Sequence, residues 1–127
     1  MDPPSADTRI IADPGKLKQV IINLLGNAFK FTPKGGTITL GATVEAQNRV
    51  RIFVRDTGIG IPEKNLESIF EKFGQVDNYL QKSTAGTGLG LYISSIIIAR
   101  TGGKLDVKST VGEGSEFSFT LDTLRKI

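Results

Sequence analysis

Two glycine-rich segments constrain the fold most, because each marks a junction between regular elements. Asp56–Pro62 (DTGIGIP) follows a β-rich run, and Gly86–Leu91 (GTGLGL) leads into an apolar helical stretch. A carboxylate beside flexible glycines can bind the amine of a nucleobase, and a glycine-rich turn that opens a helix can bind phosphate groups. The two segments together predict a nucleotide-binding domain.

The composition is that of an ordinary globular chain. Its 127 residues suffice for one domain, and 39% of them are hydrophobic and 23% charged. No apolar run approaches the length of a membrane span, and no signal peptide is evident. We therefore expect a cytoplasmic domain without membrane contact, although a full-length protein can be membrane-anchored. The net charge of +3 comes with scattered lysines, which argues against nucleic-acid binding.

Cysteine and histidine are both absent from the sequence. Their absence excludes disulfides, thiol chemistry and any Ser–His or Cys–His catalytic pair, and it argues against a zinc site.

The pattern of helices and strands predicts three parts of the chain: a flexible leader (1–7), one domain (8–122) and a short tail (123–127). Within the domain, Asp13 and Pro14 form a helix start, and apolar residues recur at helical spacing as far as Phe31. Further helices are predicted at 62–70 and 89–100, with a long mobile loop at 71–86.

Strands are predicted at 8–12 and in two hairpins, 37–44 with 49–56 and 104–109 with 116–121. The predicted fold class is α+β: a two-layer sandwich whose mixed, mostly antiparallel sheet of about five strands carries three helices on one face.

The first long helix carries Asn23, Asn27 and Lys30 at spacing i, i+4, i+7, which places them on one face. Amide oxygens can bind Mg²⁺, and a lysine can neutralise phosphate. The alternative is that Asn23 caps a backbone group and Lys30 is a solvated surface residue.

Asp56 lies at a strand end, where its carboxylate can accept a hydrogen bond from an exocyclic amine such as that of adenine. Gly58 and Gly60 allow the backbone to approach the base closely. An Asp that caps a helix in a tight turn explains the same residues. Phe70 and Phe73 are candidate core residues that can also anchor a lid.

The second glycine segment does not match two common phosphate-binding motifs. A dinucleotide fingerprint requires a preceding strand, and the preceding segment is polar instead. A Walker-type P-loop requires Gly-Lys-Ser or Gly-Lys-Thr, which the sequence lacks.

Four segments in this order resemble the catalytic, ATP-binding domain of sensor histidine kinases, within the gyrase, chaperone, kinase and mismatch-repair superfamily. Residues 23–32 (NLLGNAFKFT) resemble its N box, and Asp56–Pro62 resembles its first glycine box. Phe70–Phe73 resembles its F box, and Gly86–Leu91 its second glycine box. The resemblance covers residues 9–121 and implies the Bergerat-type fold, with ATP held between the helices and a lid.

The resemblance also implies roles for individual residues. Asn27 would be the main Mg²⁺ ligand, assisted by Asn23, with Lys30 on the phosphates and Asp56 on the adenine amine. The remaining nucleotide-binding positions would be Phe31, Gly58, Gly60, Ile61, Phe73, Lys82, Gly86, Thr87, Gly88, Leu89 and Gly90. Lys82 stands where the family frequently has an Arg, so its role is the least defined.

Position 23 separates branches of the superfamily. Members that hydrolyse ATP, such as gyrase, have a Glu there as general base, whereas this chain has Asn23, which favours phosphotransfer. Because the chain has no histidine, it could not phosphorylate itself on one. The implied partners are therefore a helical dimerisation and phosphoacceptor domain of the same protein, and a response regulator downstream. A nucleotide-binding regulatory module without turnover and an anti-sigma-type serine kinase remain the alternatives.

Overall fold

The computed structural model describes residues 13–45, 48–71 and 90–122. Within these ranges, two α-helices, two short 3₁₀ turns and four strands form a two-layer arrangement with the helices packed on one face of the sheet. In chain order the regular elements are α1 (Pro14–Phe31), β1 (Ile38–Glu45), β2 (Arg49–Asp56), α2 (Gly90–Arg100), β3 (Asp106–Thr110) and β4 (Gly114–Asp122).

Helix α1 begins and ends as its sequence predicts. The Asp13 carboxylate accepts hydrogen bonds from the backbone N–H groups of Gly15 (2.8 Å) and Lys16 (3.2 Å), with proline at the start of the helix. The buried residues of α1 recur every four positions, which gives the helix one apolar face toward the sheet: Val20, Leu24 and Ala28.

The sheet has the strand order β1-β2-β4-β3, and every pairing in it is antiparallel. Both predicted hairpins are confirmed. The described sheet has four strands rather than about five, and the strand expected at 8–12 lies outside the described residues. Asp56 is the last residue of β2, where it pairs with Ile38 on one side and Ser115 on the other.

The core lies between α1, α2 and the inner face of the sheet. Phe119 at its centre is 1% exposed, and the ring of Phe70 meets Phe117 edge to face with centroids 6.1 Å apart. The core interpretation of Phe70 is therefore confirmed. The buried hydrophobic residues are Val20, Leu24, Ala28, Val50, Ile52, Val54, Ile61, Ile69, Ile98, Leu105, Phe117, Phe119 and Leu121.

The prediction of one helix over 62–70 is wrong, because the segment forms two separate 3₁₀ turns, Glu63–Asn65 and Ser68–Phe70. Backbone bonds of the i to i−3 kind close both turns, from the Leu66 N–H to the Glu63 carbonyl (3.1 Å) and from the Glu71 N–H to the Ser68 carbonyl (3.1 Å).

Helix α2 lies within the predicted range of 89–100 and ends at a glycine turn, where Gly102 has a φ of 86°. Neither helix in the described part of the chain combines the length and apolarity that crossing a membrane requires.

Candidate functional site

Asn23 joins α1 to the first turn of α2. Its side-chain nitrogen donates to the backbone carbonyl of Gly90 (3.3 Å) and to the hydroxyl of Ser94 (3.2 Å). Since a carbonyl only accepts, the nitrogen must face α2, and the amide oxygen accepts no hydrogen bond from the described residues. Asn23 does bond a backbone group, as the alternative interpretation expected, while half of its amide stays available.

Asn27 and Lys30 follow Asn23 along the same face of α1. Asn27 is half-buried and Lys30 is exposed, and neither side chain makes a hydrogen bond or ion pair to the described part of the chain. An amide oxygen and an ammonium group thus have no side-chain partner among the described residues. A phosphate-bearing ligand is the kind of group that they suit.

The donor set determines what metal the site can hold. The described residues contain no group of three or more His, Cys, Asp or Glu side chains able to bind a metal ion. The amide oxygens of Asn23 and Asn27 could complete only part of an octahedral shell. That fits Mg²⁺, which usually keeps several waters and binds substrate phosphates.

Asp56 is the last residue of β2 and is only 7% exposed. Burial raises the pKa of its carboxyl group, although backbone hydrogen bonds from Gly58 and Ser115 lower it in part. The Gly58 N–H donates to the carboxylate at 2.8 Å, a turn of the Asx type rather than a helix cap. The carboxylate is therefore fixed in direction and desolvated, as recognition of an amine requires.

The first glycine segment passes between the end of α1 and the β3–β4 hairpin, and its two glycines leave no room for a side chain. A Cβ on Gly58 would overlap the backbone carbonyl of Phe31, and Ile59 donates its N–H to that carbonyl at 3.2 Å. Gly60 has a φ of 76°, and a Cβ there would overlap the carbonyl of Thr110. These two glycines hold the segment close to its neighbours.

Two further predicted residues flank this segment. Ile61 is buried, and its N–H donates to the Ser109 hydroxyl at 2.7 Å. Phe31 is half-buried and packs against the core at the end of α1.

Most of the predicted lid lies outside the described residues, so its roles stay predictions. These positions are Phe73, Lys82, Gly86, Thr87, Gly88 and Leu89. Gly90 is described: it is the first residue of α2, and its carbonyl receives the Asn23 hydrogen bond.

The structure adds three serines that sequence reasoning did not single out: Ser94, Ser109 and Ser115. Ser94 is completely buried under Asn23, and Ser115 is 8% exposed beside Asp56. A signal for Ser115 exists in the sequence, because it shares the alternation of Phe117 and Phe119 and so falls on the core side of its strand.

Comparison with known proteins matches residues 12–125 to the model of the histidine kinase-, DNA gyrase B- and HSP90-like ATPase family. The chain is 44% identical over 117 residues to the sensor histidine kinase GacS of Pseudomonas protegens, a match that covers 89% of this chain and 13% of GacS. It is 40% identical to the adaptive-response sensory kinase SasA of Synechococcus elongatus, covering 98% of this chain and 32% of SasA. The chain thus spans a small part of the length of these curated relatives.

Solved structures resemble the chain as well. Full-length ShkA in complex with AMPPNP superposes with a TM-score of 0.78 at 39% identity, covering 92% of this chain and 24% of ShkA. The nucleotide-free catalytic domain of the histidine kinase ThkA gives a TM-score of 0.78 at 34% identity, covering 95% of this chain and 76% of that domain.

Proposed function

This chain belongs to the histidine kinase-, DNA gyrase B- and HSP90-like ATPase family, as an ATP-binding catalytic domain of sensor histidine kinases, and we propose that it transfers the γ-phosphoryl group of ATP to a histidine on a separate domain. The acceptor would be a helical dimerisation domain, expected in the same full-length protein, with a response regulator downstream. The chain itself has no histidine, so it would not label itself on one.

The observation that carries the proposal is the amide at position 23. ATP-hydrolysing relatives need a carboxylate there to take a proton from water, and an amide cannot do so. Asn23 is instead bonded to Gly90 and Ser94, which fixes it as a positioning group between α1 and α2. A phosphoacceptor imidazole attacks with its own lone pair and needs no base, so this site suits transfer better than hydrolysis.

Each part of the site then has one task. Asp56 binds the adenine amine, and the close backbone of Gly58 and Gly60 shapes the base pocket. Lys30 neutralises phosphate charge, and the amide oxygens of Asn27 and Asn23 hold Mg²⁺. When bound, Mg²⁺ offsets the negative charge that builds on the phosphate oxygens.

Binding of ATP by this chain has support from a relative of known structure, because ShkA was solved with the ATP analogue AMPPNP. Phosphoryl transfer depends chiefly on positioning and charge neutralisation. The described residues supply a fixed carboxylate, two amides and a lysine for these tasks.

The test supplies the purified chain with radiolabelled ATP, Mg²⁺ and a separately purified cognate helical domain bearing the acceptor histidine. We expect acid-labile, base-stable label on the helical domain and none on the chain. The Asn27→Ala variant should lower the transfer rate by about 100-fold or more, since it removes a group that stabilises developing charge.

Lys18→Ala is the matched control for Asn27→Ala. Lys18 is exposed on α1 nine residues before Asn27, which places it on the opposite side of the helix. Its removal should leave transfer near the wild-type rate. Acid-stable label on serine would support the anti-sigma-type kinase instead, and tight ATP binding without transfer would support a regulatory module.

A further inference from the structure

Three polar side chains form a row across the inner face of the sheet. Asp56 on β2 pairs with Ser115 on β4, and Ser115 pairs with Ser109 on β3. Phe117 lies two residues after Ser115, and Val107 lies two residues before Ser109. Both are on this same face of the sheet, Phe117 within the core and Val107 packed against it. The row therefore lies at the base end of the site, with Ser115 directly beside the Asp56 carboxylate.

The hydrogen bonds of Ser109 determine where the hydroxyl hydrogens of Ser109 and Ser115 point. Its hydroxyl oxygen lies 2.7 Å from the N–H of Ile61, 2.9 Å from the carbonyl of Gly114 and 2.8 Å from the hydroxyl of Ser115. A hydroxyl has one hydrogen, and the Gly114 carbonyl can only accept it. Ser109 must then accept from both Ile61 and Ser115.

The consequence for Ser115 is that its only hydroxyl hydrogen is committed to Ser109. Toward the base it can offer lone pairs alone, and the ionised carboxylate of Asp56 is likewise an acceptor. This wall of the pocket thus presents two acceptors and no donor.

We infer that Ser109 is a specificity-determining positioning residue, which makes the base pocket select a 6-aminopurine over a 6-oxopurine. A free Ser115 hydroxyl could turn its hydrogen toward O6 of guanine while Asp56 accepted from guanine N1–H. By holding that hydrogen, Ser109 removes this second mode of binding. The inference rests on the proposed ATP binding at Asp56.

The test compares the dissociation constants of ATP and GTP for the wild-type chain and three variants. Ser109→Ala frees the Ser115 hydrogen, and we expect it to lower the preference for ATP over GTP by about tenfold or more. Ser109→Thr keeps the hydroxyl and should keep the wild-type preference. The double variant Ser109→Ala with Ser115→Ala has no hydroxyl hydrogen to turn toward O6 of guanine. Its preference for ATP over GTP should therefore return to within about threefold of the wild-type value.

The double variant distinguishes two roles of Ser109: orienting the Ser115 hydrogen, or only supporting the fold. If Ser109 only supports the fold, the double variant should prefer ATP over GTP as weakly as Ser109→Ala does. That result would overturn the inference. An unchanged preference for ATP over GTP in Ser109→Ala would also overturn the inference. The proposed function would still stand in that case, provided that the wild-type chain binds ATP. A wild-type chain that binds neither nucleotide would contradict both.

A measurement on the wild-type chain covers the case in which Ser109→Ala does not fold. The triphosphates of inosine and of 6-thioinosine both carry an N1–H, and they differ in the acceptor at position 6, where sulfur accepts a hydrogen bond much more weakly than oxygen. An acceptor-only wall makes no hydrogen bond to either atom, so the two compounds should bind within about threefold of each other. Clearly tighter binding of the inosine compound would overturn the inference.

Discussion

The two ends of the proposed site, the base end at Asp56 and the phosphate end at Asn27 and Lys30, are built in different ways. At the base end, Asp56 is buried and held by backbone N–H groups, and the glycine segment beside it touches two other elements. At the phosphate end, Asn27 and Lys30 project from one helix and bond to nothing in the described part of the chain. In the proposed function, base recognition would therefore be preorganised by backbone, whereas charge neutralisation would be left to side chains.

The ligand's own chemistry explains this division. A purine is flat and neutral, so a rigid edge with fixed acceptors can discriminate it at little entropic cost. A triphosphate is charged, and its terminal phosphoryl group has to be transferred to the acceptor. Lysine provides a compact charge on a flexible stem, which can follow the phosphate as it moves.

The largest effect should come from adding one methyl group to the rigid end. In Gly58→Ala, the new Cβ would overlap the Phe31 carbonyl, and we expect a loss of about 2 to 3 kcal/mol in the free energy of unfolding. Urea denaturation followed by circular dichroism measures it.

Gly26→Ala is the control for Gly58→Ala. It adds the same methyl group within α1, where nothing lies within 4 Å of the new Cβ. This variant should gain about 0.5 to 1 kcal/mol, because alanine favours the helix. Equal behaviour of the two variants would mean that the base end is not rigid.

Asp56→Asn should weaken binding of adenosine and ATP by the same factor, about 10- to 100-fold, with the fold retained. The lost interaction is a hydrogen bond to a charged acceptor, and it involves only the base. Calorimetry with both ligands measures the two factors. Asp122→Asn is the control, since Asp122 lies at the far end of β4 in an exposed ion pair with Arg49. Unchanged adenosine affinity in Asp56→Asn would contradict the placement of the base pocket.

The pH dependence provides a second check on the same carboxylate. Its folded pKa is raised above the ordinary value of 3.8, so the stability that Asp56 contributes is present below that value and is lost as the pH rises through the folded pKa. Adenosine binding needs the ionised form and should weaken as the pH falls through the same range. Asp56→Asn should show neither change.

The smallest effect is expected at the phosphate end. Lys30→Ala should weaken ATP binding by about 3- to 10-fold, because an exposed charge in water contributes modestly, and it should leave adenosine binding unchanged. Comparison of the two ligands in the same titration measures this difference. Lys18→Ala, on the same helix, should change neither affinity, and a loss of adenosine binding in Lys30→Ala would contradict the division between the two ends.

Local patterns in the sequence predicted much of this structure. The cap at Asp13, the apolar period of α1 and both hairpins follow from neighbouring residues, and the structure confirms them. The prediction at 62–70 failed because the segment closes two separate 3₁₀ turns, in which Leu66 donates its N–H to the Glu63 carbonyl and Glu71 donates to the Ser68 carbonyl. Apolar spacing does not distinguish two short 3₁₀ turns from one short α-helix.

The candidate site divides in the same way. The sequence by itself identified the chemical groups, because Asn23, Asn27, Lys30 and Asp56 occur in recognisable local motifs. Only the tertiary structure decided that Asn23 turns its nitrogen to α2, and that Ser115 and Ser109 complete a row with Asp56. The Asn23 contacts join residues 67 and 71 positions apart in the chain, and the row depends on strand register. The spacing of residues along one segment specifies which face of a helix or strand they share. Their contact partners on other helices and strands are fixed only when those elements pack together.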